Sequence, residues 1–241
     1  ARLIGLGRPG YGPSTRQAGY RFTDWPRDVA EALDRLGVGR CVVLGASGGS
    51  PYALACGLIL GDRVLRIGIV VGSAPIEATG MRSARGVTGI PASPVVRRAL
   101  FGALALVSKT PLRNRMVRWI NRDLATIDRE ALNRPEVMRW FLSVVEEAFA
   151  DGGRTAADEA ALYREPWGFD PSDISTETFL WYGGADVREP ASAGRWLAER
   201  LPNSTFTVWP EHGHFSWATT DAVADVVEAL VASGRRSAHR R

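Results

Sequence analysis

A doubly wound, mostly parallel α/β sheet interrupted by an all-helical insertion is the architecture this sequence predicts. Three observations point to it: short runs that are apolar without alternation, helical apolar periods between those runs, and a stretch from about residue 75 to residue 170 with helical periods and no convincing strand. Strands of a parallel sheet are covered by helices on both faces, so their sequences lack the alternation of a half-exposed strand.

The runs are Leu3 to Leu6, Cys41 to Leu44, Ile67 to Val71, Phe179 to Tyr182 and Phe206 to Trp209, punctuated by Gly, Pro and Asp. Between the first two, Asp24 as N-cap, Pro26 in the first turn, Val29, Leu33 and Leu36 at i, i+4 and i+7, and Gly37 as a stop predict a helix. Further helices are expected over Pro51 to Leu60, Ala191 to Leu201 and Asp221 to Val231. In the insertion, Gly and Pro punctuate Ala74 to Pro94, and helices are expected around Val95 to Val107, Leu112 to Ile120 and Pro135 to Phe149. Most of the insertion's large apolar side chains, Met116, Met138 and Phe149 among them, are expected to pack it on itself and on the sheet. A few should line an apolar pocket over the strand ends, where open α/β sheets bind ligands, with Trp140 and Trp167 the candidates for substrate contact.

Composition narrows the class. With 241 residues, 45% apolar and 23% charged, and only two Cys, the chain is neither disordered nor collagen-like nor a disulfide-stapled module. Cys41 and Cys56 read as small hydrophobes, and with His only at 212, 214 and 239 no zinc spacing exists, so no metal is expected. Four of the 30 basic side chains, Arg235, Arg236, Arg240 and Arg241, lie in the last seven residues; the other 26 balance the 26 acidic ones. That places the basic charge in a solvated tail and argues against a nucleic-acid partner. The run Val64 to Val71 is too short and too broken by Arg66 to span a bilayer, so no membrane partner and a cytoplasmic location are expected.

The chemistry centres on Gly45-Ala46-Ser47-Gly48-Gly49, a G-x-S-x-G between a predicted strand and a predicted helix. Forcing a nucleophile into a tight strand-to-helix turn strains the backbone at Ser47 and calls for small neighbours, while the following helix aims its N-terminal N–H groups at developing negative charge. A serine hydroxyl needs a base and an orienting acid. His214, in Gly213-His214-Phe215 after the last strand, is favoured over His212 as base, and Asp186, in Gly183-Gly184-Ala185-Asp186 after the fourth run, as acid, with Asp173 and Glu189 as fallbacks. Gly5-Leu6-Gly7-Arg8-Pro9-Gly10 matches a dinucleotide-binding fingerprint in spelling only, because Gly10-Tyr11-Gly12-Pro13 breaks the helix that motif must open.

With Arg8-Pro9-Gly10-Tyr11-Gly12-Pro13-Ser14, the Gly45 to Gly49 turn and the Asp186 and His214 loops in the order Ser, acid, His, the sequence resembles the α/β-hydrolase family over nearly its whole length. It departs at Gly7, where members with this block usually carry Asp. The resemblance implies a cofactor-independent serine hydrolase of esters, thioesters or related acyl bonds, with Ser47, His214 and Asp186 as triad, Gly48 N–H in the oxyanion hole and a small-molecule acyl substrate. It also implies a division into residues 1–74 and 171–234 as the hydrolase core, 75–170 as a helical cap and 235–241 as a basic tail. The family's first strands and the loop donating a second oxyanion N–H precede the Arg8 block, and the chain opens on Ala1, so that donor is expected upstream. The competing expectation is an incomplete or non-catalytic hydrolase-like protein that binds a ligand without turnover.

Overall fold

The computed structural model describes residues 2–75, 78 and 93–232. The basic tail at 235–241 with His239, and most of the Gly- and Pro-punctuated stretch from Ala74 to Pro94, lie outside the described residues.

Among the described residues, four parallel strands, β1 (Cys41–Ala46), β2 (Val64–Val70), β3 (Thr178–Gly183) and β4 (Ser204–Trp209), form one sheet in the order β1-β2-β3-β4. Their register aligns Val43 with Ile67, Ile67 with Thr178 and Thr178 with Ser204. Alternate residues feed two cores, as the pleat requires. Ile67, Ile69, Leu180 and Tyr182 face α1 (Trp25–Arg35), α2 (Ser50–Leu60) and α8 (Ala191–Ala198) through Val29, Leu33, Leu54 and Leu197. Val70 and Trp181 face α9 (Ala222–Val231) through Val226 and Leu230. On that second face Phe179, Trp181 and Trp209 stack in a row, with centroids 5.7 and 6.3 Å apart. Arg66, which interrupts the apolar run of β2, pairs with Glu177 at 2.7 Å and donates to the carbonyls of Ala229 and Leu230, so its charge sits on the C-terminal end of α9.

Helix α1 ends as its sequence demands. Gly37 at φ +65° donates to Asp34, and Val38 donates to Leu33 at 2.8 Å, the paired bonds of a Schellman stop. Asp24 precedes the helix without capping it; its carboxylate accepts from Arg21 N–H at 2.8 Å inside a short 3₁₀ turn, Phe22–Asp24.

The run Leu3 to Leu6 is not a strand. Leu3 is 96% exposed, and the segment pairs with no strand among the described residues, so its apolar pattern lacks the neighbour that would turn it into sheet. The Arg8 block that follows is a turn rather than a helix start and docks on the helical segment. Arg8 pairs with Glu159 at 2.9 Å, and Tyr52 donates to Glu159 at 2.8 Å.

Between β2 and β3 lie α3 (Pro94–Ser108), α4 (Arg113–Ile120), α5 (Thr126–Asn133), α6 (Pro135–Ala148) and α7 (Arg154–Leu162), with no strand among the described residues. Met116, Val117, Met138 and Leu142 form their own small core. Helices α5 and α7 have no counterpart in the sequence prediction. The first is only eight residues long, and the second is an alanine-rich helix opened by Gly152 and Gly153, both at positive φ.

Candidate active site

The C-terminal ends of the strands converge on one spot, and each strand delivers a polar group to it. Ser47 leaves β1 at φ +50°, a left-handed conformation that is costly for a residue with a side chain and that aims it out of the strand-to-helix turn. Gly45 is required by packing, because a Cβ there would lie 2.5 Å from the Gly49 carbonyl and 2.8 Å from Ala53. Gly49 is not required in that way: nothing lies within 4 Å of its Cβ position. The Gly48 carbonyl accepts from Tyr163 O–H at 2.5 Å, which pins the peptide beside Ser47 from the side of α7.

After β4 the chain turns through Gly213 and presents His214, whose Nε2 lies 2.9 Å from Ser47 Oγ and whose Nδ1 lies 2.8 Å from Asp186 Oδ2. Asp186 leaves β3 by the turn at Gly183 and Gly184, and its other oxygen accepts the N–H groups of Arg188 (2.8 Å) and Glu189 (3.0 Å). A carboxylate fixed by two amides on one oxygen leaves the other for a ring N–H. The neutral imidazole then carries its proton on Nδ1 and offers Nε2 as acceptor to Ser47 O–H. His214 and Asp186 are both buried, so water competes little for these bonds. After β2, Ser73 N–H donates to the Ser47 carbonyl at 3.2 Å and ties a third strand end to the turn.

Two of the other sequence candidates, His212 and Asp173, stand elsewhere. His212 is half-buried with Nε2 3.1 Å from Thr220 Oγ1, and Asp173 lies in a 3₁₀ turn before β3.

Comparison with known proteins decides the family: the model of the alpha/beta hydrolase family matches residues 3–229. The chain belongs to the alpha/beta hydrolase family. A 2-hydroxymuconate semialdehyde hydrolase of Pseudomonas putida is 28% identical over 220 residues, covering 89% of this chain and 71% of that protein. Among solved structures, a hydrolase from Pseudomonas aeruginosa superposes with a TM-score of 0.65 at 20% identity, covering 93% of this chain and 77% of its own. The enol-lactonase from Burkholderia xenovorans superposes with a TM-score of 0.61 at 19% identity, over 90% and 77%. These two likenesses establish the α/β-hydrolase fold. Among the described residues, no helix is long and apolar enough to cross a membrane.

The aromatic surroundings of this hydrolase differ from expectation. Trp167 is 4% exposed and packs in the main core against Phe22 and Phe169. Trp140 is 55% exposed, on the outer side of α6. Besides Tyr163, the site is approached by Phe215, whose centroid is 4.9 Å from that of His214, with Phe141 5.4 Å behind it. Phe141 shares α6 with Trp140, and helical pitch turns one ring inward and its neighbour outward.

Two acidic residues complete the site. Asp128, in α5, is completely buried and accepts the backbone N–H groups of His214, Phe215 and Ser216 at 2.7, 2.8 and 2.9 Å. Nothing in the sequence around it marks this role. Glu189 accepts from Ser73 O–H at 2.7 Å, and burial pushes its carboxyl up to about 7, against the opposing pull of Ser73, His214 and Arg188. An acid whose folded value lies above its unfolded value holds its proton better in the folded state. Its contribution to stability is therefore greatest in acid and declines as pH rises from the unfolded value toward 7. Glu189→Gln should remove that decline, so denaturant midpoints of variant and parent should move apart, in the variant's favour, from pH 5 to pH 8. Parallel midpoints across that range would contradict the raised value.

Proposed function

We propose that this chain is a serine hydrolase that cleaves an ester, thioester or related acyl bond of a hydrophobic small molecule. The single observation that carries the reading is the unbroken hydrogen-bonded series Ser47 Oγ, His214 Nε2, His214 Nδ1, Asp186 Oδ2, with Ser47 presented on a strained turn. Ser47 Oγ attacks the carbonyl carbon while its proton passes to His214 Nε2, and Asp186 stabilises the imidazolium that forms. The carbonyl oxygen, now negative, receives the Gly48 N–H at the start of the turn into α2, where the helix N-terminus adds favourable potential. The imidazolium returns its proton to the leaving group, which departs with the bond electrons and leaves an acyl-serine. Water, deprotonated by the same His214, then releases the acid and restores Ser47.

The apolar preference rests on Phe215, packed on His214, and on Phe141, packed on Phe215. Relatives named as a 2-hydroxymuconate semialdehyde hydrolase and an enol-lactonase support a small-molecule substrate. A fluorophosphonate probe tests the reading. It should label the protein with one equivalent and leave Ser47→Ala unlabelled, and a p-nitrophenyl ester series should be turned over by the parent alone. Equal labelling of both, or of neither, would overturn it.

A further inference from the structure

Asp128 reaches the His214 loop from a different part of the chain, 86 positions earlier, and it is fully buried there. Of the four consecutive N–H groups from Gly213 to Ser216, it accepts the last three, while Ser216 Oγ accepts the first at 2.8 Å. The carboxylate also occupies the place a Gly213 side chain would need, so loop and carboxylate fit only because residue 213 has no Cβ. A carboxylate accepts at two oxygens without donating, which suits a fan of three amides better than any neutral side chain.

Resting on the serine-hydrolase reading above, we propose that Asp128 is a positioning residue for the base: it holds the main chain of His214 while Asp186 holds the ring. Asp186 fixes only Nδ1, so a shift of the His214 backbone would pivot the imidazole about that atom and carry Nε2 away from Ser47. Two anchors define the ring's place; one does not. Trp217 Nε1 also donates to the His214 carbonyl at 3.1 Å, so Asp128 secures the N–H side of the loop, and that hold lasts only while α5 is seated on it.

Asp128→Asn tests this, since it preserves shape and leaves one acceptor oxygen for three donors. With p-nitrophenyl acetate, kcat per fluorophosphonate-titrated Ser47 should fall about 10²-fold, the scale of a displacement near 1 Å, with KM within about twofold. A merely structural role would reduce the titratable fraction and the melting temperature without changing kcat per titrated site. In a His214→Ala background, Asp128→Asn should cause no further loss, because it acts through the base already removed. Unchanged kcat per site in Asp128→Asn, or losses that multiply with His214→Ala, would overturn the assignment. Should Asp128→Asn not fold, Gly213→Ala presses on the same contact from the loop side; the same drop in kcat supports the proposal and parental kcat per site overturns it. Activity retained by Ser47→Ala overturns this proposal together with the hydrolase reading, whereas an inactive Ser47→Ala beside a fully active Asp128→Asn overturns this proposal alone.

Discussion

Removing the imidazole with His214→Ala is expected to lower kcat for ester hydrolysis by about 10⁴–10⁶-fold. The hydroxyl of Ser47 is a poor nucleophile, and His214 Nε2, 2.9 Å away, is the acceptor placed to take its proton. In the proposed mechanism nucleophile and base act as one unit, so Ser47→Ala, His214→Ala and the double variant should fall to nearly the same residual rate. Asp186→Asn should be almost as damaging, about 10⁴-fold, for a reason visible in its hydrogen bonds. The two amides of Arg188 and Glu189 hold one side-chain oxygen of residue 186. The asparagine oxygen would stay with them and turn its NH₂ toward Nδ1. The ring proton would then move to Nε2, facing Ser47, and the base would be blocked without any loss of packing. Steady-state kinetics on a p-nitrophenyl ester decide the matter: losses that multiply between positions 47 and 214, or an active Asp186→Asn, would contradict the proposed roles.

Gly45→Ala should destabilise the fold by about 1–3 kcal/mol or more, while Gly49→Ala should be nearly silent. Both glycines belong to the same pentapeptide, yet the new methyl group at 45 would meet the Gly49 carbonyl and Ala53, which are backbone and helix and cannot swing aside. At 49 it would meet nothing within 4 Å, at φ −74°, where alanine is comfortable and less entropically costly than glycine. Urea midpoints of the two variants check this. Equal midpoints would mean that strand β1 and helix α2 are not packed as closely as Gly45 implies.

How much was legible in advance varies with the range of the interactions. Strands β1 to β4 and the helices that flank them follow from apolar runs and helical periods, because a parallel sheet covered on both faces leaves that pattern in any sequence that forms it. The Arg8 block and Gly37 were readable for a similar reason, since a turn draws its geometry from a few adjacent residues. Ser47, Asp186 and His214 could each be nominated from a local signature, a loop after a strand with small neighbours. Leu3 to Leu6 shows where this fails: an apolar run becomes a strand only when another strand accepts its hydrogen bonds, and its own residues do not state whether one is there.

What the sequence determined by itself is thus the α/β architecture and three side chains nominated for the proposed acyl transfer, because backbone preference and turn shape act over a few residues. Tertiary structure alone decided that those three side chains meet within hydrogen-bond distance, that Phe215 with Phe141 behind it, rather than Trp140 or Trp167, packs beside His214, and that Asp128 secures the loop of His214. Each of these depends on the approach of segments far apart in the chain. An aspartate on a short helix reads as solvated charge until the amides of a loop 86 to 88 positions away are brought against it. Its burial is tolerable only because those three N–H groups arrive together, and that coincidence is a property of the packed fold.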